Sequence, residues 1–233
     1  MTMELSVRLK AVADEVNGGI IADIGTDHGY VPIYLVKTGK IKKAVACDIN
    51  KGPLLKAREN IEREGLKDKI ETRLGNGLSQ IDAGEVETAV IAGMGGMLII
   101  DILKSGACVA ESLKQLVLQP QLDIESVRRH IHTIGFKIVN EKMVVDGGKF
   151  YTIINAVRGQ EKYEKEIYYS FGKINIDKKC PVLREYIAYM LNRLSEIENG
   201  LKSADTENAV KKTEYIKKEI ELLKEAEAAY EMQ

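Results

Sequence analysis

The chain has few cysteines and histidines, the residues that build most structural metal centres, and it has no long apolar run. Its three cysteines, Cys47, Cys108 and Cys180, are far apart and form no Cys-x-x-Cys motif, and there are only three histidines. We therefore expect no structural metal and interpret the cysteines as reduced thiols. No apolar segment approaches the roughly 20 residues that span a bilayer, and the N-terminal residues show no signal-peptide pattern. These absences predict a cytoplasmic protein that does not enter a membrane.

An excess of charge of one sign is also absent. The 34 Lys and Arg residues are matched by 35 Asp and Glu, which leaves a formal net charge of −1. A protein that follows a phosphate backbone usually has a basic excess or a basic face. A nucleic-acid partner would therefore have to use local patches, of which Lys42-Lys43 and Arg128-Arg129-His130 are weak examples. The 233 residues, 45% of them hydrophobic, suffice for one α/β domain with an appendage.

The most informative stretch is the sequence Ile-Ile-Ala-Asp-Ile-Gly-Thr-Asp-His-Gly-Tyr at 20–30. It predicts a buried strand that ends near Asp23, a tight turn containing Gly25 and Gly29, and a helix that begins near Val31. Glycines in such a turn allow the backbone to approach a ligand closely. The free N–H groups at the start of the next helix suit a carboxylate as well as a phosphate. A turn that uses its glycines only to reverse the chain is the structural alternative.

A second acidic residue, Asp48, follows at the distance expected in a nucleotide-binding fold. The apolar strand Lys43–Asp48 begins about 20 residues after the first motif and ends in a carboxylate. In nucleotide-binding α/β folds an acid at this position binds the ribose hydroxyls. The two features together favour a ligand-binding turn.

The turn departs from the dinucleotide pattern Gly-x-Gly-x-x-Gly. Asp27 stands where that pattern needs a small residue beside a pyrophosphate, and a carboxylate there would repel the phosphates. The spacing Asp23-x-Gly25-x-x-x-Gly29 instead has the form of the first motif of S-adenosylmethionine-dependent methyltransferases. That cofactor carries a sulfonium and an ammonium group, so a nearby carboxylate can be favourable.

Alternating strand and helix patterns continue to residue 157. After the first two strands we predict a helix at 51–64, strands at 69–74, 87–92 and 113–118, and helices at 97–104 and 124–134. Two strands at 136–146 and 149–157 then flank Gly147-Gly148, a hairpin turn. The sequence therefore predicts an α/β fold with a Rossmann-like, seven-stranded class I methyltransferase sheet.

The composition changes after Gly159. Charge density rises, and apolar residues recur at alternating steps of four and three from Leu183 to Leu201. A second helix with similar spacing includes Ile216, Ile220 and Leu223, and 203–206 is the predicted break, capped by Asp205 or Thr206. We predict a cofactor-binding domain at 1–159 and a C-terminal α-helical hairpin resembling a coiled coil at 160–233.

Other candidate site residues lie near the predicted strand ends. Arg8, on a helix before the first strand, can pair with the carboxylate of the cofactor or can simply be a solvated residue. Asn76 and Gly77 can meet an adenine edge or can form only an Asn-Gly turn. The run Gly93-Met94-Gly95-Gly96 replaces the Asp/Asn-Pro-Pro-aromatic turn of many amino-methylating enzymes. It can give clearance for a flat base or serve helix packing.

The chain resembles a known family. The strings that carry this resemblance are Leu5-Ser-x-Arg8-Leu, Asp23-Ile-Gly-Thr-Asp-His-Gly-Tyr-Val-Pro32, Gly75-Asn-Gly77-Leu and Ala92-Gly-Met-Gly-Gly96, followed by the helical hairpin. They are similar to the bacterial tRNA (adenine-22-N1)-methyltransferases along the whole chain. The resemblance implies S-adenosylmethionine as cofactor, tRNA as partner and methylation of an adenine N1 in the D-arm region. The family often has an acid where this chain has Asn76.

The cofactor site implied by this resemblance contains residues from all four strings. The residues that the resemblance places around the cofactor are Arg8, Gly25, Asp27, His28, Gly29, Asp48, Asn76, Gly77 and Gly93. We also assign Asp23, Thr26, Ile49 and Met94 to the cofactor. The residues assigned to the substrate are Tyr30, Gly95, Gly96 and Gln119. Tyr30 can stack on the target base, and a buried core tyrosine is the alternative. We expect no metal and a monomer, although the sequence does not determine the oligomeric state.

Asp27 is the candidate catalytic residue. Adenine N1 has an available lone pair, so methyl transfer chiefly requires positioning and desolvation. The methylated base is cationic, and a carboxylate near its exocyclic amine stabilises that charge or accepts the proton. Alternatively, Asp27 binds the ammonium of the cofactor or caps the next helix. The rival functions are a small-molecule or other RNA methyltransferase and a non-catalytic RNA-binding adaptor.

Overall fold

The structure is a computed structural model that describes residues 4–201 and 207–232. The chain forms two compact units, Met1–Lys162 and Tyr163–Gln233. The sequence predicted a boundary between residues 159 and 160, three residues before this division. Within the described residues, no helix is long and apolar enough to cross a membrane.

The first unit is built on one seven-stranded sheet with the order β3-β2-β1-β4-β5-β7-β6. The first five strands are parallel, and β7 runs antiparallel to both β5 and β6. This topology confirms the predicted methyltransferase-type sheet closed by a hairpin. The strands are β1 Ile20–Ile24, β2 Lys43–Asp48, β3 Ile70–Leu74, β4 Thr88–Met94, β5 Gln115–Pro120, β6 Phe136–Asp146 and β7 Lys149–Arg158.

Helices cover both faces of this sheet, which explains the continuous apolar character of the central strands. All six residues of β5 are buried, as are the last five of β2. The helices of the first unit are α1 Val7–Glu15, α2 Tyr30–Lys37, α3 Lys51–Arg63, α4 Gly96–Ser105, α5 Ala107–Ser112 and α6 Ile124–Thr133, with a 3₁₀ turn at Gly77–Gln80.

Helix α5 is absent from the sequence prediction, and the fifth strand begins two residues later than expected. The helix has only six residues, too few to show a helical period. Gly106 separates α4 from α5 at a point where a Cβ atom would lie 2.6 Å from the Cβ of Leu78. The Ser112 hydroxyl closes the short helix by donating to the Val109 carbonyl at 2.7 Å.

Helix α1 is fixed at both ends. The Ser6 side chain caps its start by accepting from the Leu9 amide at 3.3 Å. At the other end, the buried Glu15 carboxylate accepts from Asn140 and Asn155 at 3.0 Å. These contacts tie the helix to β6 and β7.

The second unit is helical. It contains a π-helical turn Tyr168–Gly172 and helices α7 Lys173–Asp177, α8 Pro181–Leu201 and α9 Glu207–Glu231. Helices α8 and α9 pack together, which confirms the predicted helical hairpin. The buried residues include Leu183, Ile187 and Leu194 on α8 and Ile216, Ile220 and Leu223 on α9. The predicted break and its cap, Asp205 or Thr206, lie outside the described residues.

Candidate active site

A cavity of about 550 Å³ opens at the carboxyl ends of β1, β2 and β4. This size is in the usual range for small-molecule sites, and the carboxyl edge of a parallel sheet is where such folds bind ligands. The sequence-predicted residues that line it are Arg8, Asp23, Gly25, Thr26, Asp27, His28, Tyr30, Asp48, Ile49, Asn76, Gly77, Gly93 and Met94. The structure thus brings residues from four separate strings to one place.

Backbone hydrogen bonds to β2 fix the turn between β1 and α2. The amides of Gly25 and Thr26 both donate to the Cys47 carbonyl of β2, at 2.8 and 2.9 Å. Gly25 has φ +74°, and a Cβ atom there would lie 2.2 Å from the methyl carbon of Met94. The left-handed conformation therefore favours glycine here, and a larger residue would also displace the end of the Met94 side chain.

Two buried carboxylates form the polar floor of the cavity. Asp48 accepts from the Asn50 amide at 2.8 Å and from the Asp27 amide at 3.3 Å. Asp23 accepts from the Thr26 hydroxyl at 2.6 Å. Burial, together with the negative charge of Asp48, raises the pKa of Asp23 to about 6, although the hydrogen bond from the Thr26 hydroxyl opposes the shift. The floor therefore favours a ligand with cationic groups or hydroxyl donors.

Arg8 provides the positive charge of the cavity. Its Nη1 donates to the Gln119 side chain at 2.8 Å, and its guanidinium lies 5.5 Å from the centroid of the Tyr151 ring. Its backbone amide donates to the Asp146 carboxylate at 3.0 Å, and this bond lowers the pKa of Asp146. Arg8 is thus a positioned cation that can receive a carboxylate.

Gln119 does not line the cavity. It is fully buried, and besides accepting from Arg8 it donates to the Pro120 carbonyl at 3.1 Å. Its described contacts position Arg8. The sequence could not show this, because the two residues are 111 positions apart.

Asp27, His28 and Tyr30 lie at the mouth of the cavity. The Asp27 side chain is 69% exposed, and its Oδ1 is 3.5 Å from the His28 Nε2. The rings of His28 and Tyr30 are stacked, with centroids 5.2 Å apart. Tyr30 is 37% exposed, so the alternative of a buried core tyrosine is wrong. The helix-cap alternative for Asp27 is also wrong, because Gly29 is the N-cap of α2 and no side chain caps that helix.

Neither Gly29 nor Gly96, two other predicted glycines, is among the lining residues. Gly29 adopts the left-handed conformation at φ +73°, whereas Gly96 serves packing, because a Cβ there would lie 2.5 Å from the Leu122 carbonyl oxygen. Gly95 has open space around its Cβ position and is not a lining residue, whereas Gly93, at φ +79°, lines the cavity.

Sequence reasoning missed part of the lining. Leu98 and Ile102 are one turn apart on α4 and give the cavity an apolar wall, and that spacing is the signal that could have identified them. The other missed lining residues are Leu9, Ile24, Val31, Asn50, Pro53, Gly75, Ala92 and Gln121.

The chain matches known proteins along nearly its whole length. Residues 5–154 match the family model described as a methyltransferase domain. A curated Bacillus subtilis tRNA (adenine(22)-N(1))-methyltransferase is 33% identical over 230 residues, which cover 96% of this chain and 97% of that protein. The chain belongs to this methyltransferase family.

Two solved structures of similar proteins contain a cofactor or its product. The Streptococcus pneumoniae protein Sp1610, in complex with S-adenosyl-L-methionine, is 34% identical to this chain, with a TM-score of 0.82. The match covers 96% of this chain and 99% of the Streptococcus pneumoniae chain. M. capricolum TrmK, in complex with S-adenosyl-homocysteine, is 28% identical with a TM-score of 0.85 and covers 98% and 100%. The similarity to members of the family therefore extends through the helical unit, beyond the methyltransferase domain.

The raised pKa of Asp23 predicts a pH-dependent stability. Because the folded-state pKa of about 6 exceeds the ordinary aspartate value of 3.8, the folded protein holds more protons than the unfolded chain between these values. Stability therefore falls as pH rises through this window. Asp23→Asn keeps an acceptor for Thr26 without the buried charge. We expect it to raise the free energy of unfolding by up to about 3 kcal/mol above pH 6 and by little near pH 4.

Urea unfolding between pH 4 and pH 8 measures this difference. Asp27→Asn, in the same turn but exposed, controls for the general loss of a carboxylate at the site. A difference between Asp23→Asn and the wild type that stays constant with pH would contradict the buried-charge interpretation.

Proposed function

We propose that the protein transfers the methyl group of S-adenosylmethionine to N1 of adenine 22, in the D-arm region of tRNA. The observation that carries this conclusion is the match to the Bacillus subtilis enzyme over 96% of this chain and 97% of the relative. The cavity supports it, because the residues shared with the family's motifs converge there.

The residues of the cavity fit the cofactor. Asp48, at the end of β2, suits the ribose hydroxyls, and Arg8 suits the methionine carboxylate. Asp23, with its raised pKa, gains from a cation in the cavity because the cation offsets the cost of its burial. Gly25, in the left-handed conformation, leaves the backbone of the turn bare for the ligand. Ile49, Asn76 and Gly77 line the same cavity and suit the adenine.

The residues of the cavity orient the two reactants and exclude water from them. The bound cofactor supplies an electrophilic methyl group on a sulfonium. Leu98 and Ile102 form an apolar wall that excludes water, while Arg8 and the acids fix the orientation of the ligand. Adenine N1 attacks with its own lone pair and needs no base. Methylation leaves a positive charge on the purine and makes its exocyclic amine more acidic. A carboxylate at the mouth of the cavity stabilises that charge or accepts the proton, and Asp27 is exposed there.

Nucleoside analysis tests the proposed function. Purified protein is incubated with labelled S-adenosylmethionine and unmodified tRNA, and the digested nucleosides are resolved by mass spectrometry. We expect 1-methyladenosine in wild-type tRNA and none in tRNA in which adenine 22 is replaced by guanine. Bound cofactor without label in tRNA would favour a small-molecule enzyme, and tRNA binding without methylation would favour an adaptor. Either result would contradict the proposal.

The role of Asp27 is separable from cofactor binding. Asn tolerates the left-handed conformation of this position, φ +50°, so Asp27→Asn keeps the turn. If the carboxylate stabilises the methylated base, the single-turnover rate at saturating cofactor should fall roughly 100-fold while cofactor affinity changes little. A variant with lower affinity and an unchanged rate would instead assign Asp27 to the ammonium of the cofactor.

Asp48→Ala is the matched comparison for Asp27→Asn. It removes a charged acceptor from the ribose, so calorimetry should show cofactor affinity reduced about tenfold or more, equivalent to about 1.5–3 kcal/mol. Unchanged cofactor affinity in this variant would show that Asp48 does not bind the ribose.

We propose that the first unit binds the cofactor and that the helical unit contacts tRNA. A chain that ends at Lys162 retains Glu161, whose carboxylate accepts from the Ile138 amide at 2.8 Å in the first unit. We expect this truncated chain to bind S-adenosylmethionine with unchanged affinity and to methylate tRNA at least tenfold more slowly, because a helical appendage can contact a large folded RNA. Methylation at the full rate by a folded truncated chain would show that the helical unit serves another purpose.

A further inference from the structure

Four exposed apolar residues line the cavity or directly adjoin its lining residues in the chain. Tyr30 and Leu98 line the cavity, Met97 precedes Leu98, and Leu122 follows the lining residue Gln121. We call these four residues, Tyr30, Met97, Leu98 and Leu122, the apolar rim. Soluble proteins rarely leave such a group in water unless another molecule covers it.

Leu122 is the most protruding member of the rim. Its side chain is 68% exposed, compared with 51% for Met97. Its backbone, however, is held in place: the Gly96 amide donates to the Leu122 carbonyl at 2.9 Å, and the Gln121 amide donates to the Met94 carbonyl at 2.8 Å. The next residue, Asp123, adopts the left-handed conformation at φ +53°. A fixed loop thus holds a large apolar side chain in water beside the site.

The geometry of the substrate identifies what covers the rim. In a stacked or paired RNA, the N1 edge of an adenine cannot reach an enclosed cavity unless the nucleotide swings out of the helix. The adenine stays joined to its neighbours through the backbone, so the flanking bases must lie at the mouth. Apolar side chains that enter a base stack stabilise a displaced nucleotide in other nucleic-acid complexes.

We infer that Leu122, supported by Met97, contacts the bases that flank the target adenine and stabilises the flipped position of that adenine. This inference rests on the proposed function. The partner of the rim is therefore tRNA with a displaced nucleotide. Leu122 acts on substrate placement and takes no part in the transfer of the methyl group.

The variants Leu122→Ser and Leu122→Met test this inference, with Val139→Ser as the matched control. Val139 is an exposed apolar residue of the first unit, at 41%, but it lies on β6 away from the cavity. We expect Leu122→Ser to lower kcat/KM for tRNA about tenfold or more and to leave cofactor affinity unchanged, because an apolar side chain at a base step offsets part of the cost of unstacking. Leu122→Met should retain most of the activity, and Val139→Ser should match the wild type.

A fluorescence measurement distinguishes base displacement from a general loss of RNA contact. In tRNA with 2-aminopurine in place of adenine 22 and S-adenosylhomocysteine in the mixture, the wild type should raise the fluorescence as the base leaves the stack. Leu122→Ser at saturating protein should raise it less, whereas Val139→Ser should give the wild-type signal.

The possible failures are distinguishable. If Leu122→Ser equals the wild type in kcat/KM and in fluorescence, the inference about Leu122 is overturned while the proposed function stands. If the wild type itself puts no methyl group on tRNA, the proposed function fails first. A wild type that methylates adenine 22 without any rise in 2-aminopurine fluorescence also overturns the inference.

Discussion

The site depends on two buried carboxylates at the carboxyl ends of neighbouring strands. Asp23 on β1 and Asp48 on β2 are both almost inaccessible to water, and the charge of Asp48 adds to the cost of ionising Asp23. Their position follows from the parallel register of the two strands, which pairs Ile24 with Cys47. The Cys47 carbonyl then accepts from Gly25 and Thr26 and fixes the turn above the acids. A cationic ligand with hydroxyl donors complements this arrangement.

The positive side of the site comes from the opposite half of the sheet. Arg8 is presented by α1, which is tied to β6 and β7 through Glu15 and Asp146, and its guanidinium is held by Gln119 of β5. The two charges that a zwitterionic amino acid requires are therefore supplied by different parts of the fold. The sheet keeps them apart and in register, so the selectivity of the site depends on the whole first unit.

The sequence revealed the parts of the site that have local signals. Asp23, Gly25 and Asp48 were identifiable because apolar strands and glycine turns at a fixed spacing mark the carboxyl edge of a parallel sheet. Gln119 was assigned to the substrate because its position at the end of β5 is visible in the sequence. Its pairing with Arg8 is a tertiary contact without a local signal. The exposure of Tyr30 likewise depends on how the cavity mouth is shaped, and the short helix α5 has too few residues to show a period.

Burial disfavours the ionised form of Asp23, and we expect the cation of S-adenosylmethionine to favour ionisation when it binds. Calorimetry of cofactor binding at pH 6 in buffers with different ionisation enthalpies counts the protons that Asp23 releases. With a pKa of about 6 in the free protein, the wild type should release roughly half a proton per site and Asp23→Asn close to none. Equal proton release by the wild type and the variant would show that cofactor binding does not ionise Asp23.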